Sequence, residues 1–307
     1  MSRVVLLGPQ RFAPTVGAVV RSLEVDGPIA TVLAGWQERE PDDAELDGML
    51  DGRSVNLALH ARWLDVAERD PEFAAADHRR RDALDELQAV YLLRLRHAMA
   101  AVVELQRRDG DPAVSSAAID DAVAAVRALD ARHLRLSAEV HDAFHAAWPP
   151  HERPVVAGHR SAIAGVLNGA GALAIGGGHV GVLLACLHLF NVGALSTGRP
   201  VVAWSAGAMA VTETVVLFHD RVVHGSGGAE VFDAGLGLVR GVVALPHARR
   251  RLRLGDQRHM ALLARRFGPA DCLVLDDGAR VDVPEGAWGT PAATVVRGDG
   301  VVAARAA

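Results

Sequence analysis

Short apolar runs alternate with helical stretches along the second half of the chain, and this alternation restricts the fold more than any other feature. The runs that predict strands cover residues 155–157, 172–175, 201–204, 242–245, 273–275 and 293–297, most of them followed by glycine or small residues. Strands that alternate with helices in this way form a parallel sheet with helices on both faces. The sequence therefore predicts an α/β fold with a mostly parallel sheet flanked by helices.

The first 53 residues fit the same pattern, with two further strands at 4–7 and 30–33 and a helix at about 15–23 between them. Residues 54–148 differ, because they contain little glycine and place apolar residues at three- and four-residue intervals, as in Leu84, Leu87, Tyr91 and Leu95. A break at 109–112 separates at least two long helices, and a third is predicted from about 116 to 148. We therefore expect one α/β domain from 1–53 and 149–307, with an all-α insertion at 54–148.

The apolar faces of this insertion predict burial against another surface. A lid over a functional site, a dimerisation surface and a partner-docking module all fit, and self-association into a homodimer is the simplest expectation.

Composition excludes several classes of function. The chain of 307 residues has a formal net charge of -5 and a pI near 6.3, which gives no signature of nucleic-acid or membrane binding. All 32 basic residues are arginine, so a Schiff-base or P-loop lysine is excluded. Cys186 and Cys272 lie in separate apolar runs and are predicted to be buried free thiols. With no signal peptide and no uninterrupted apolar segment, the sequence predicts a cytoplasmic protein.

The first chemical signal is Ser205, which follows the strand at 201–204 and precedes the small residues Ala206, Gly207 and Ala208. A serine on such a strand-to-helix turn exposes its hydroxyl at the carboxyl edge of the sheet, as in a nucleophile elbow. The usual elbow pattern is G-x-S-x-G, and here Ala203 occupies the first glycine position.

A run of three glycines, Gly176-Gly177-Gly178, follows the strand at 172–175 and precedes His179. Bare backbone N–H groups at such a position can form an oxyanion hole. We expect the amides of Gly177, Gly178 and Ala206 to supply it.

The third signal is His247, which Pro246 fixes directly after the strand at 242–245. A neutral imidazole on the same sheet edge as Ser205 can accept the serine proton. The acid that would orient this imidazole stays open on the residues alone, and the carboxylates between the two motifs are Glu213, Asp220, Glu230 and Asp233.

Together these motifs resemble the dipeptidase E and cyanophycinase family of serine peptidases over about residues 155–290. The segment 204–208, Trp-Ser-Ala-Gly-Ala, matches the dipeptidase E nucleophile motif, Pro246-His247 matches the family's histidine motif, and residues 284–288 resemble its closing strand. The family's pattern places its acid fifteen residues after the serine, which here is Asp220. The resemblance implies a class I glutamine amidotransferase-like, flavodoxin-like fold with serine in place of the amidotransferase cysteine. The insertion has no counterpart in the family.

The resemblance implies a serine peptidase that cleaves small peptides or amides, including aspartyl-containing ones. His179, where the family commonly has Asn or Gln, Arg160 and Arg249 are the candidate substrate-binding residues, since arginine binds carboxylates. No metal-ligand spacing appears, and no cofactor, nucleic acid or membrane is expected. A non-catalytic scaffold on the same fold, and an esterase or amidase acting on a non-peptide substrate, are the alternatives.

Overall fold

The computed structural model describes residues 3–220, 228–284, 288–290 and 293–305. The strands are β1 (Val4–Leu7), β2 (Ile29–Val32), β3 (Ser54–Asn56), β4 (Ala172–Ile175), β5 (Val201–Trp204), β6 (Thr214–His219), β7 (Gly228–Ala234), β8 (Val242–Pro246), β9 (Asp271–Leu275), β10 (Arg280–Val283), β11 (Thr294–Val296) and β12 (Val302–Ala304). The helices are α1 (Val16–Ser22), α2 (Ala44–Met49), α3 (Leu59–Arg69), α4 (Pro71–Arg107), α5 (Pro112–Ala147), α6 (Pro154–Gly169), α7 (Val180–Leu189), α8 (Val192–Leu195), α9 (Ala206–Ala210), α10 (Ala248–Arg251) and α11 (Gln257–Phe267). Two 3-10 segments lie at Ala34–Arg39 and Pro150–Glu152.

The main sheet has six strands in the order β10-β1-β5-β4-β2-β3. All its pairings are parallel except that of β1 with β10, so the predicted α/β class with a mostly parallel sheet is confirmed. Every residue of β1, β2, β4 and β5 is buried. This burial explains why the sequence shows continuous apolar runs here rather than an alternation of apolar and polar residues.

A second sheet has the order β12-β11-β9-β8, in which only β8 and β9 are parallel. It contains the predicted strands at 242–245, 273–275 and 293–297, so these strands belong to a separate sheet from β5. Strands β6 and β7 form an antiparallel ribbon. Of the 284–288 motif, residues 285–287 lie outside the described residues, and Trp288 donates its Nε1–H to Asp271 at 2.7 Å.

The strand predicted at 155–157 is wrong, because these residues begin helix α6. Pro154 occupies the first turn, where its missing N–H costs nothing. Val156, Ile163 and Leu167 are the buried residues of this helix, which is helical spacing that a three-residue window cannot show. The helical region begins later in the chain than predicted, because residues 54–56 form β3 at the edge of the main sheet.

Helices α4 and α5 form a long antiparallel hairpin, separated where the sequence predicts the break. A buried polar network joins this hairpin to α11. Asp130 of α5 accepts two hydrogen bonds from Arg266 at 2.7 and 2.8 Å, and Tyr91 of α4 donates to Asp130 at 2.7 Å. Burial and the nearby carboxylate raise the pKa of Tyr91, so its phenol stays protonated and can donate.

The same hairpin covers the free edge of β7. Val231 donates its N–H to the Tyr91 hydroxyl at 3.1 Å, and Phe232 has its carbonyl 3.2 Å from Nε2 of His133. Arg266 also donates to the carbonyl of Ala229 at 2.6 Å. Side chains thus take the place of a further strand along β7, and the hairpin packs firmly on the β6–β7 ribbon.

Both cysteines are free and buried, as predicted. Across the described residues, the search for a helix with the length and apolar character needed to cross a membrane finds none.

Two ion pairs between α5 and α11 offer a matched test of the network. Asp130→Ala leaves the Arg266 guanidinium buried without its partner, and we expect a loss of about 3–5 kcal/mol in the free energy of unfolding. Asp120→Ala breaks the exposed pair with the neighbouring Arg265 and is expected to cost at most about 1 kcal/mol. Urea unfolding of both variants measures the difference, and equal small losses would show that the network does not hold the hairpin.

Candidate active site

The parallel pairing of β4 with β5 places the glycine run beside Ser205. The pairing aligns Ile175 with Ala203, so the two strands end next to each other. A Cβ atom on Gly177 would lie 2.8 Å from the Cβ of Ser205 and 3.6 Å from the amide nitrogen of Ala206. No side chain fits at that distance, and the backbone of the loop therefore packs directly on the serine turn.

Ser205 has backbone angles φ 51° and ψ -122°, which are strained for a residue other than glycine. The turn connects the buried strand β5 to α9, and the side chain is partly exposed. A Cβ atom on Gly207 would lie 2.3 Å from the carbonyl oxygen of Ile175, so this position needs glycine. The local geometry is that of a nucleophile elbow in which Ala203, fully buried in β5, replaces the first glycine.

His247 reaches Ser205 from the second sheet. It follows β8 with a left-handed φ of 58° and donates its N–H to the carbonyl of Leu275 at 3.0 Å. Its Nε2 lies 3.4 Å from the Oγ of Ser205. The structure thus brings together the two residues that the sequence predicts as nucleophile and base.

The environment of His247 favours the neutral imidazole. Burial lowers the pKa of His247 from its ordinary 6.5, and the charges of Arg251 and Arg250 lower it further, against the opposing effect of Asp277 and Asp276. A neutral ring at neutral pH can accept a proton from Ser205.

The backbone of the glycine loop lies beside the serine turn. The loop is fixed on both sides, because Gly176 donates to Val32 at 2.9 Å and His179 donates to Gly35 at 2.7 Å. Between these bonds, Gly178 has a φ of 108°. In the described part of the chain, the amides of Gly177, Gly178 and Ala206 have no acceptor, so they are available to a bound ligand.

Asp220 does not contact His247. Its carboxylate accepts a hydrogen bond from the backbone of Arg253 at 3.0 Å and lies 3.0 Å from Nε2 of His259. Burial would raise the pKa of Asp220, but the bonds from His259 and Arg253 outweigh burial and hold it below its usual range. The hydrogen bond to Asp220 in turn raises the pKa of His259. Both oxygens of Asp220 are therefore engaged away from the serine.

The other three carboxylates considered from the sequence also lie elsewhere. Glu213 accepts the N–H of Gly241 at 2.9 Å, and Asp233 lies 2.9 Å from Nε2 of His141. Burial raises the pKa of Glu230, against the opposing charge of Arg266.

Two of the three predicted substrate-binding residues lie near the site. His179 caps α7, with Nδ1 accepting from the N–H of Val182 at 3.2 Å, and a Cβ atom on Gly181 would lie 3.3 Å from its ring and 3.2 Å from that of Phe232. Arg249 follows His247 by two residues, and its side chain is 83% exposed.

Arg160 does not reach the site. It donates to the carbonyl of Leu189 at 2.8 Å, at the far end of the ten-residue helix α7 from the glycine loop. That separation is about 15 Å along the helix.

Sequence reasoning missed Asp276 and Phe232. Asp276 follows β9 as His247 follows β8, and the two strands pair in parallel. Its position after a strand was therefore a usable signal, whereas the packing of Phe232 near Gly181 of α7 depends on the long-range packing of β7. Among the described residues, no group of three or more His, Cys, Asp or Glu side chains could hold a metal ion.

The strained turn predicts an unusual order of stability. At Ser205 we expect the Gly variant to be more stable than the Ala variant by about 1–2 kcal/mol, because glycine adopts this conformation without strain. At Ser116, exposed within α5, the Ala variant is expected to be the more stable by about 1 kcal/mol. Chemical unfolding of the four variants measures both differences, and the same order at both positions would contradict the elbow.

The Asp220–His259 pair predicts a pH-dependent contribution to stability. Asp220→Asn is expected to cost about 1–3 kcal/mol. The loss should be largest between about pH 4 and 6.5, since the stabilisation disappears as pH falls through the lowered pKa of Asp220 or rises through the raised pKa of His259. The exposed pair of Asp82 with His78 is the control, and Asp82→Asn should cost less than about 1 kcal/mol. Unfolding curves across pH measure both, and a flat profile for Asp220→Asn would refute the pairing.

No family model matches the chain, and the comparison with curated proteins finds no significant relative. The interpretation of the site therefore depends on its geometry and on the motifs quoted above.

Proposed function

We propose that the chain is a serine hydrolase, a peptidase of the dipeptidase E and cyanophycinase type on a class I amidotransferase-like fold. The observation that carries the proposal is Ser205 on a strained turn with its Oγ 3.4 Å from Nε2 of His247. The glycine loop packed on that turn supports it.

In the first step, His247 accepts the proton of Ser205 as the hydroxyl attacks a carbonyl carbon. The observed 3.4 Å separation is long for a hydrogen bond, and such contacts often tighten when substrate binds. The lowered pKa of His247 keeps the ring able to accept this proton at neutral pH.

The attack creates a tetrahedral intermediate with a negative oxygen. The amides of Gly177 or Gly178 and of Ala206 stabilise it, and His247 returns its proton to the leaving amine. Water then attacks the acyl-enzyme with His247 again as base.

The proposed substrates are small peptides or amides, with aspartyl-containing peptides as the first class to test. Arg249 lies two residues past His247 with an exposed guanidinium that can bind a substrate carboxylate. Its contact with Asp276, at 3.3 Å, is made by an exposed guanidinium and is therefore weak enough to exchange.

The α4–α5 hairpin is proposed as a surface for self-association. Val90 and Leu93 on α4 expose about half of their side chains. Size measurement by light scattering tests this part separately from catalysis.

A peptide library tests the activity. We expect wild-type protein, incubated with short peptides that include N-terminal Asp and β-aspartyl members, to release products that mass spectrometry detects. Ser205→Ala and His247→Gln should lower the rate by several orders of magnitude. Below pH 6.5 the rate should fall with the protonation of His247, with a midpoint under that value.

The controls separate the alternatives. Equal cleavage by wild type and Ser205→Ala would disprove the nucleophile. Cleavage of p-nitrophenyl esters alone, dependent on Ser205, would favour an esterase. Absence of any Ser205-dependent reaction would favour a binding or scaffold protein.

A further inference from the structure

The carboxylate partner of His247 is the missing part of the site. Of the four acids between Ser205 and His247 in sequence, Glu213 and Asp233 bond to other partners, and Asp220 has both oxygens engaged by Arg253 and His259. An imidazole that becomes charged during catalysis is normally stabilised and oriented by a carboxylate. The structure offers a different acid, on the strand next to that of the histidine.

Strands β8 and β9 pair in parallel with Pro246 opposite Leu275, so the next residues, His247 and Asp276, emerge side by side. The hydrogen bond from the N–H of His247 to the carbonyl of Leu275 fixes this alignment. Asp276 also accepts the N–H of Arg249 at 3.0 Å, and Arg249 belongs to the helical turn that begins after His247.

The turn that contains Asp276 is held against the main sheet. The carbonyl oxygen of Asp276 lies 1.8 Å from the position that a Cβ atom on Gly8 would take, so this position needs glycine. Gly8 donates its N–H to the carbonyl of Ala279 at 2.9 Å. Gly8 directly follows β1, which pairs with β5, the strand that ends at Ser205. The turn that carries the acid is therefore fixed against the end of β1.

We propose that Asp276 is the positioning carboxylate of His247, orienting its ring and stabilising its protonated form in the hydrolase site proposed above. Oδ1 of Asp276 is fixed by the backbone of Arg249. Within the part of the chain that the structure describes, the partner of its Oδ2 is the exposed side chain of Arg249, a weak contact. When the ring accepts the serine proton, we expect Oδ2 to exchange its contact with the Arg249 side chain for one with Nδ1 of His247.

Four charged groups act on His247. Arg250 and Arg251 disfavour the protonated ring, whereas Asp276 and Asp277 favour it. Asp277 is the less suitable partner, because its carboxylate is 38% exposed and its contact is with the side chain of Arg250, whereas that of Asp276 is 19% exposed. A group that orients a catalytic ring needs a fixed position away from solvent.

A fluorophosphonate probe, which phosphonylates an activated serine with loss of fluoride, tests the proposal. We expect Asp276→Asn to slow labelling of Ser205 by about 100-fold or more, and Asp276→Glu to restore part of the rate. Asp277→Asn and Asp220→Asn, compared as folded protein, should stay within about threefold of wild type. The assignment would be overturned if the probe labelled Asp276→Asn at the wild-type rate and labelled Asp220→Asn or Asp277→Asn slowly.

A second measurement does not depend on activity. Long-range ¹H–¹⁵N correlation spectra, with His247→Gln to assign the signal, report the pKa and tautomer of the ring. We expect Asp276→Asn to lower the pKa of His247 and to change the tautomer balance, and Asp220→Asn to leave both unchanged. An unaltered His247 signal in Asp276→Asn defeats the inference even if Ser205 labels normally. Failure of wild type to label at Ser205, with His247 still responding to Asp276→Asn, defeats only the proposed hydrolase.

Discussion

The contact between the glycine loop and the serine turn is the constraint on which the rest of the site depends. Strands β4 and β5 are parallel and end at the same edge of the sheet. The loop after β4 and the turn after β5 therefore lie in close backbone contact. Only a residue without a side chain satisfies this at Gly177. The same approach gives Ser205 its strained angles and brings the amide of Ala206 next to the loop.

His247 comes from a different sheet than Ser205, so the distance between the two side chains is set by the core between the sheets. Ala203 of β5, Ala208 of α9 and Leu245 of β8 belong to one continuous apolar cluster. Larger side chains at these positions would shift the two sheets relative to each other. That shift would change the distance between Oγ of Ser205 and Nε2 of His247. Small residues at this junction thus serve the geometry of the site as well as the packing of the core.

The sequence predicts that Ser205 and His247 lie at one site, because each is marked by local chain signals, a buried strand followed by small residues or ending in proline, and the structure places them 3.4 Å apart. It does not predict the acid, because any carboxylate on a nearby loop has equal standing until strand pairing is known. Two histidine–aspartate neighbours, His259 with Asp220 and His247 with Asp276, illustrate this. Asp220 raises the pKa of His259, whereas burial lowers that of His247, and the sequence does not distinguish the two cases. The strand prediction at 155–157 is wrong for a related reason. Three apolar residues fit either a strand or the first turn of a helix, and Pro154 decides for the helix.

Strand β7 shows what the helical hairpin does for the fold. Its free edge would otherwise present unpaired backbone groups, the usual starting point for intermolecular strand addition. Tyr91, His133 and Arg266 occupy those groups with side chains instead. Two of these three side chains belong to the hairpin, which therefore protects the edge of β7 from pairing with strands of other molecules. A shortened chain without the hairpin would expose that edge and favour aggregation.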